Sequence, residues 1–449
     1  TVKLLPLFVD MLSAAPEESL NIIASDILRP PGMPTDNLRT PWETLDTEPA
    51  PEEEITPDPV SFRGVLHYLT MPYSEAKSEY MALFEKHVCP RFAKETPILE
   101  LLSSNLALDV FLPRTWEGVK NIPLVWLKLK PGMPDRVKPP ARPINPRLYA
   151  DTKKEFDRLC TYFYQPSDSP ISSPLVVAPK ATPPFIRFCG DYSITVNKYM
   201  LTGHYPIPNV KHSLEKIIRY SVFLDFDLTN GFHQFRLHPE TSRLLSVQTP
   251  WGQVEPLFLP EGVPQGSGIL QENMDRIFGI YSDWAIVIFD NLLVLAEDYN
   301  DAYEKTKLVL KRAKEYNLVL KMKKTWLGFE KVEFFGYECS HGCFKLTQKR
   351  IDEVSSMPMP NSQKSIKRFL GCSGFFQPLV PLYSDLTADL NEMGKAGFDW
   401  NPKTWQKDYV ACFEKFKDAL REATTLYYPN YDLPWILRAD ASDTGIGWV

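Results

Sequence analysis

Leu224-Asp225-Phe226-Asp227-Leu228-Thr229-Asn230-Gly231-Phe232-His233-Gln234 is the stretch whose reading decides the fold. Two carboxylates stand two positions apart in an apolar run. In an extended strand that spacing puts both on one face. Buried carboxylates need a partner or a cation, so such a strand suggests chemistry. A second such place exists. Trp284 to Ala296 is apolar on both sides of Asp290-Asn291, the pattern of a hairpin joined at a polar turn. Two aspartates on adjacent strands can hold divalent cations for in-line phosphoryl transfer. Taken singly, Asp227 would more simply cap a backbone group and Asp290 form a turn.

Around this centre helices and strands intermix. Lys153 to Phe163 has helical periodicity, and Ser173 to Ala178 and Ser221 to Leu228 have strand character. Asp301 stands where it would cap a helix with Tyr303, Thr306, Leu310 and Ala313 on one face. Val332 to Tyr337 is expected as a strand, residues 349–393 as two or three short helices, and Trp435 to Val449 as a new sheet. Upstream, residues 61–115 look helical, with Tyr80, Met81, Leu83, Phe84 and Val88 on an amphipathic run, and residues 120–147 look extended. Residues 29–60 hold eight prolines and Glu52-Glu53-Glu54, a linker composition.

The 449 residues amount to roughly three domains by length. Hydrophobic residues at 44% and charged residues at 24% exclude wholesale disorder. No run of 18 apolar residues offers a membrane span. Seven cysteines, odd and sparse, argue against a disulfide framework and for a reducing compartment. The net charge of −6 looks wrong for a nucleic-acid partner, but residues 1–60 alone carry −9, so the other 389 sum to +3. Between Lys120 and Arg147 seven bases face one acid, Asp135, a strip suited to a phosphate backbone or equally to a solvated loop. The first residue is not Met and Gly447-Trp448-Val449 stops in mid-pattern, as expected of a piece of a polyprotein.

Several constellations are missing: a Gly-rich loop ending in Gly-Lys-Ser/Thr, His-Glu-x-x-His and Cys-x-x-Cys. Cys339-Ser340-His341-Gly342-Cys343 is poorly spaced for zinc and looks like a turn between strands. Asp443-Thr444-Gly445 matches the aspartic-protease tripeptide, a weak signal, and Leu20 to Leu28 is only vaguely like the last strand of such a protease.

In order along the chain, these residues resemble the reverse transcriptase of Gypsy-type LTR retrotransposons. Ser167 to Pro174, Lys180, Arg187-Phe188-Cys189-Gly190-Asp191-Tyr192 and Tyr205-Pro206-Ile207-Pro208 are similar to the fingers. Asp227 to Gln234 resembles the L-D-L-x-S-G-Y-H-Q block. Leu259-Pro260-Glu261-Gly262 through Gln271 resembles the loop that contacts template and nucleotide. Lys324, Phe334-Phe335-Gly336-Tyr337, Arg368-Phe369-Leu370-Gly371 and Leu426-Tyr427-Tyr428-Pro429 follow in the family's order. Asp440-Ala441-Ser442 with Gly445-Ile446-Gly447 resembles the first strand of ribonuclease H, which accounts for the Asp-Thr-Gly.

The resemblance implies an α+β right-hand polymerase of fingers, palm and thumb, followed by the first strands of a ribonuclease H-like α/β domain. It divides the chain into an acidic Pro-rich leader (1–60), a helical extension and basic strip (61–137), fingers and palm (138–345), thumb and connecting helices (346–430) and the truncated ribonuclease H (431–449). It implies RNA-directed DNA polymerisation with Mg2+, or Mn2+ in its place, on an RNA or DNA template with an annealed primer and dNTPs. Intracellular particles with a nuclear phase, and no membrane, are the expected setting. Asp227 and Asp290 would hold metal, with Asn291 beside them. Lys180, Arg187, Phe232, Gln271 and Lys324 would meet the nucleotide, Phe232 as a gate against a 2′-OH. Phe334 to Tyr337 would grip the primer. Only Asp440 of the ribonuclease H acids is present, so no RNA cleavage is expected.

The departures are specific. The family's Y-x-D-D box is Ile288-Phe289-Asp290-Asn291, so one carboxylate is an amide. That weakens a site built to attract magnesium and opens the alternative of a decayed polymerase that binds template-primer but barely extends it. Asp225 stands where many relatives carry a basic or polar residue, as a candidate to compensate. Glu261 and Ser193 replace the expected Gln or Phe and Arg.

Overall fold

The computed structural model describes residues 72–114, 117–179, 186–201, 205–374, 376–422, 426–427, 434, 439–442 and 445–448. Lys180 and the leader lie outside them. The described residues fall into two compact bodies that divide between Val332 and Glu333.

The first body opens with five short helices, α1 (Tyr73–Ala82), α2 (Phe84–His87), α3 (Pro90–Glu95), α4 (Ile98–Ser103) and α5 (Asn105–Phe111). Their inward stripe runs through Tyr73, Ala76, Tyr80 and Phe84, whereas Met81 is exposed. The Tyr80 hydroxyl donates to the Leu102 carbonyl at 2.8 Å. A second helical group comprises α6 (Tyr149–Cys160), α7 (Val210–Ile217), α8 (Pro239–Leu244), α9 (Gly266–Phe278) and α10 (Tyr299–Glu315). The cap of α10 is Asp298, whose side chain accepts from the Asp301 N–H at 2.8 Å. The expectation that Asp301 caps it is three residues late, because Asp301 instead accepts from the Glu297 N–H at 2.9 Å. Tyr303 lies outside the buried stripe, which runs through Ala302, Thr306, Val309, Leu310 and Ala313.

Two sheets complete this body. β1 (Tyr164–Pro166), β2 (Ser173–Pro179), β3 (Ile186–Gly190), β5 (Val247–Thr249) and β6 (Gly252–Pro256) form one, in the order β1-β6-β5-β2-β3. β4 (Val222–Asp227), β7 (Ala285–Ile288), β8 (Asn291–Ala296) and β9 (Trp326–Phe329) form the other, antiparallel and in the order β7-β8-β4-β9. β4 is interior, so Phe223, Leu224 and Phe226 are buried, against Leu292, Val294 and Leu295 of β8. The β9 edge is covered, as an exposed edge would invite pairing with other chains. The Cys89 N–H donates to the Leu327 carbonyl at 2.8 Å. Gly328, at φ +78, lies where a Cβ would come within 2.4 Å of the Phe92 ring.

In the second body β10 (Lys331–Phe334), β11 (Tyr337–Ser340), β12 (Cys343–Leu346) and β13 (Leu426–Tyr427) pair in that order. The single strand expected over Val332 to Tyr337 is therefore a hairpin. Phe335 (φ 49) and Gly336 (φ 82) form its two-residue turn, both left-handed as a type I′ turn requires. Four helices follow, α11 (Gln348–Ser355), α12 (Gln363–Gly374), α13 (Tyr383–Met393) and α14 (Tyr409–Arg421). Phe369, Phe413 and Phe416 meet in their core. β14 (Ala439–Ser442) and β15 (Gly445–Trp448) form a hairpin with Asp440 opposite Gly447. Among the described residues no helix is long and apolar enough to cross a membrane.

Candidate active site

The last residue of β4, Asp227, pairs with Asn291, the first of β8. The polar turn sits one residue earlier than the composition suggests. Ile288 faces Asn291, so Phe289 and Asp290 are the two turn residues. Phe289 is held at φ 53, a rare conformation for a bulky side chain and a form of local strain. Asp290 reaches β4 through its own backbone, its carbonyl accepting from the Leu228 N–H at 3.0 Å. A Cβ on Gly231 would stand 2.9 Å from the Asp290 Cβ. Glycine at 231 is thus what lets the loop after β4 close against the aspartate.

The turn is held from below by Gln271 of α9. The Phe289 N–H donates to its Oε1 at 2.8 Å, and its Nε2 donates to the Val287 carbonyl at 2.9 Å and to Asp275 at 3.0 Å. Gln271 is completely buried. Its amide is engaged by the strained turn. We predict that Gln271→Ala costs about 1–3 kcal/mol by leaving turn groups unsatisfied. Denaturant unfolding checks this, and an unchanged midpoint would refute the brace.

Charge at the site is unbalanced. Lys324 Nζ lies 2.9 Å from Asp227 Oδ2. Even so, burial raises the Asp227 pKa, with Asp290 adding to the rise. Burial, and then the Asp227 charge, pushes Asp225 up to about 7, while a hydrogen bond from the Asn291 side chain pulls the other way. The Oδ1 atoms of both Asp225 and Asp227 are buried with no hydrogen-bond partner. An unfolded Asp loses its proton near pH 4, whereas folded Asp225 keeps it to about 7. The folded state therefore binds more protons in that window, and stability falls as pH rises through it. Asp225→Asn should raise the melting temperature at pH 8 and not at pH 4. Equal shifts at both would contradict this origin.

The other named residues are placed as follows. The Phe232 ring lies against Gly266 at the start of α9, 3.4 Å from where a Cβ would stand. Arg187 is exposed on β3, its Nε 3.6 Å from Glu261 Oε2, so the unexpected acid has an arginine beside it. Arg142 of the basic strip pairs with Asp191 at 2.6 Å. Phe334 and Tyr337 are buried and Phe335 is exposed at the tip of the second body's hairpin. A cavity of about 370 Å³ there is lined by Glu333, Phe335, Gly336, Lys349, Arg350 and Glu353.

Sequence reasoning missed Gln234 and His233. Gln234 is buried, donating to the Thr229 and Val319 carbonyls and accepting from the Val319 N–H, so it ties the loop after β4 to the segment leading to Lys324. His233 stacks on Phe163 at 4.2 Å, and burial pushes its pKa to about 3, which keeps it neutral. Their side by side position after an Asp-x-x-x-Gly turn was the available signal.

Cation ligation can be tested against this geometry. Among the described residues no set of three or more His, Cys, Asp or Glu side chains is gathered to hold an ion. Mg2+ commonly takes only one or two carboxylates plus water and phosphate oxygens. Asp227 and Asp290, with an orphaned buried oxygen on the former, fit that manner of binding.

Residues 187–339 match the family model described as "Reverse transcriptase (RNA-dependent DNA polymerase)". Residues 405–449 match "RNase H-like domain found in reverse transcriptase". The chain is 27% identical over 384 residues to the retrovirus-related Pol polyprotein from transposon opus of Drosophila melanogaster, covering 81% of this chain and 38% of that protein. It is 28% identical over 265 residues to the transposon Tf2-7 polyprotein of Schizosaccharomyces pombe, covering 59% and 20%. The chain thus spans well under half the length of these curated relatives. In fold it is similar to the foamy viral protease-reverse transcriptase in complex with dsDNA, at 19% identity and a TM-score of 0.69, covering 83% of this chain and 76% of that one. The same protein in complex with RNA/DNA hybrid gives a TM-score of 0.62 over 79% of this chain and 46% of that one. With the paired aspartates on the antiparallel sheet and the two matched segments, this chain contains a reverse transcriptase domain followed by an RNase H-like segment, and it is similar to retrotransposon Pol polyproteins.

Proposed function

We propose that the chain is an RNA-directed DNA polymerase that extends a primer on an RNA or DNA template with dNTPs. The observation that carries the reading is the seating of Asp227 and Asp290 side by side, at the end of β4 and in the β7–β8 turn, with a buried carboxylate oxygen left unpaired. Asp227 and Asp290 would hold Mg2+, or Mn2+ in its place. When bound, such an ion lowers the pKa of the primer 3′-OH and offsets charge on the leaving pyrophosphate.

The chain's own residues supply the rest. Gln271 and Gly231 fix the turn, so both aspartates present their oxygens without searching for position. Lys324 offsets Asp227 in the protein and, with a cation held by the aspartates, its ammonium would be free to meet a phosphate. Arg187, with a planar fork suited to phosphate oxygens, would exchange Glu261 for the triphosphate, alongside Lys180. The Phe232 ring, backed by Gly266, would lie under the sugar, and Phe334 to Tyr337 would seat the primer end. Primer extension on RNA and DNA templates, with Mg2+ and with Mn2+, tests the reading. No extension with either ion would overturn it.

A second reading is favoured by Asn291: a palm that binds template-primer and barely extends it. The same assay separates the two when run beside a filter-binding measurement, because binding without extension is its signature.

Sugar selection provides a further check. With the ring removed, Phe232→Ala should raise ribonucleotide incorporation relative to deoxynucleotide by about tenfold or more, the effect of losing one steric clash of ~1.4 kcal/mol. An unchanged ratio in direct competition would remove Phe232 from the role.

A further inference from the structure

Outside the aspartate site, the basic strip has a structure that its composition does not convey. From Leu124 to Lys130 the chain is extended and tied on both sides. The Val125 N–H donates to the Arg236 carbonyl at 2.8 Å, and the His238 N–H donates to the Val125 carbonyl at 2.9 Å. The Leu201 N–H donates to the Lys128 carbonyl at 3.0 Å, and the Lys130 N–H to the Tyr199 carbonyl at 2.6 Å. Alternation then sorts the side chains. Val125 and Leu127 are buried, while Leu124, Trp126, Lys128 and Lys130 point outward. Arg236 and His238 flank buried Leu237 on the neighbouring segment.

Trp126 is 51% exposed, although it stands on a rigid backbone. Its ring centroid lies 3.9 Å from that of His238, giving a two-ring ledge. Lys128, Lys130 and Arg236 are exposed and have no ion-pair partner among the described residues. Glu240 is an acid close to the ledge, its backbone N–H donating to His238 Nδ1 at 3.3 Å. Aromatic rings beside unpaired cations are what a single strand uses, because bases stack on the rings and phosphates meet the ammonium groups. Outward residues along the strip recur about every 6.8 Å, comparable to the phosphate repeat of an extended strand. A protein partner would want a broader apolar patch, and here Leu124 and Trp126 stand among cations.

We infer that Trp126, His238, Lys128 and Lys130 form a landing strip for single-stranded nucleic acid, with Trp126 as its stacking platform. The strip is joined to the aspartate site through Gln265. Its Oε1 accepts from the Lys128 N–H at 3.3 Å, and its Nε2 donates to the Lys128 carbonyl at 2.8 Å. The next residue is Gly266, against which Phe232 lies. The strand taken up would be unpaired template. That identity rests on the polymerase reading, but the binding itself does not.

The experiment uses the full chain with EDTA and no nucleotide, so catalytic failure cannot be mistaken for failure here. Anisotropy of a labelled primer-template with a 5′ overhang is compared with that of a blunt duplex of the same paired length. Trp126→Ala should weaken overhang binding about tenfold, the value of one lost stack, and leave the blunt duplex unchanged. Trp126→Phe should recover most of the loss. Lys128→Gln with Lys130→Gln should lower the slope of log affinity against log salt by about 1.4, at ~0.7 per phosphate contact. Wild-type overhang affinity in Trp126→Ala, or an equal loss on the blunt duplex, would overturn the inference. So would a change of oligomeric state in place of a change in binding. Thermal melting of each variant checks that it is folded, and the lysine pair tests the strip independently of the aromatic ring.

Discussion

Asp227→Ala is expected to reduce primer extension by at least about a thousandfold, while template-primer affinity stays within about twofold. The asymmetry follows from what the side chain does. Asp227 ends an interior strand and keeps one buried oxygen unpaired. Its charge is opposed in the protein by Lys324 at 2.9 Å and by the nearby charge of Lys321. On the proposed function, losing it would remove a cation ligand worth several kcal/mol at the chemical step, and ~4 kcal/mol is about a thousandfold in rate. Phosphate contacts elsewhere, which dominate affinity, are untouched. Single-turnover extension measured beside filter binding checks both halves. Near wild-type extension by this variant would sink the assignment of the palm.

The second large effect concerns Asp225 and Asn291 as a pair. Taken alone, Asn291 would be a lesion and Asn291→Asp its repair. The structure couples it to Asp225, which lies on the same face as Asp227 and receives a hydrogen bond from the Asn291 side chain. Asn291→Asp would remove that bond and crowd a fourth carboxylate beside Asp225, Asp227 and Asp290. Two unit charges near 4 Å cost about 4 kcal/mol at an effective dielectric near 20. We therefore expect Asn291→Asp to slow extension about tenfold at low magnesium. The exchange Asp225→Asn with Asn291→Asp keeps the net charge and should recover most of it. A magnesium titration of the two single variants and the double one decides. Faster extension by Asn291→Asp alone would restore the view of Asn291 as a simple lesion.

What could be read in the sequence was what alternation governs. Asp225 and Asp227 share a face because strands have period two, and the apolar runs around Asp290 marked a hairpin. The exact turn was not readable. Phe289 and Phe335 both adopt left-handed φ, which composition assigns to Gly or Asn. Tertiary contacts impose it, through Gln271 at the first turn. At the second, Gly336 at least carried a signal that was passed over. The burial of Gln271 was not readable either, because motif position does not reveal burial. The N-cap of α10 was misplaced because Asp298 and Asp301 are equally suited to a cap in isolation. The ion pair of Lys324 with Asp227 spans 97 residues of sequence, a separation at which no local pattern speaks.

The helix α9 touches three of these features along its length. Gln265, just before its first residue, grips the backbone at Lys128. Gly266 meets the Phe232 ring, and Gln271 carries the strained Phe289 turn. A helix advances 1.5 Å per residue and stretches little. It therefore acts as a gauge block, setting the spacing from the Lys128 backbone to the Phe232 ring to the Phe289-Asp290 turn as one rigid length. Adjusting one of these points by substitution within α9 would move the others with it. If the proposed roles hold, tolerance for a new template or a modified sugar is more accessible from the loops that α9 supports than from the helix itself, and paired changes at Gln265 and Gln271 should behave non-additively although they lie apart.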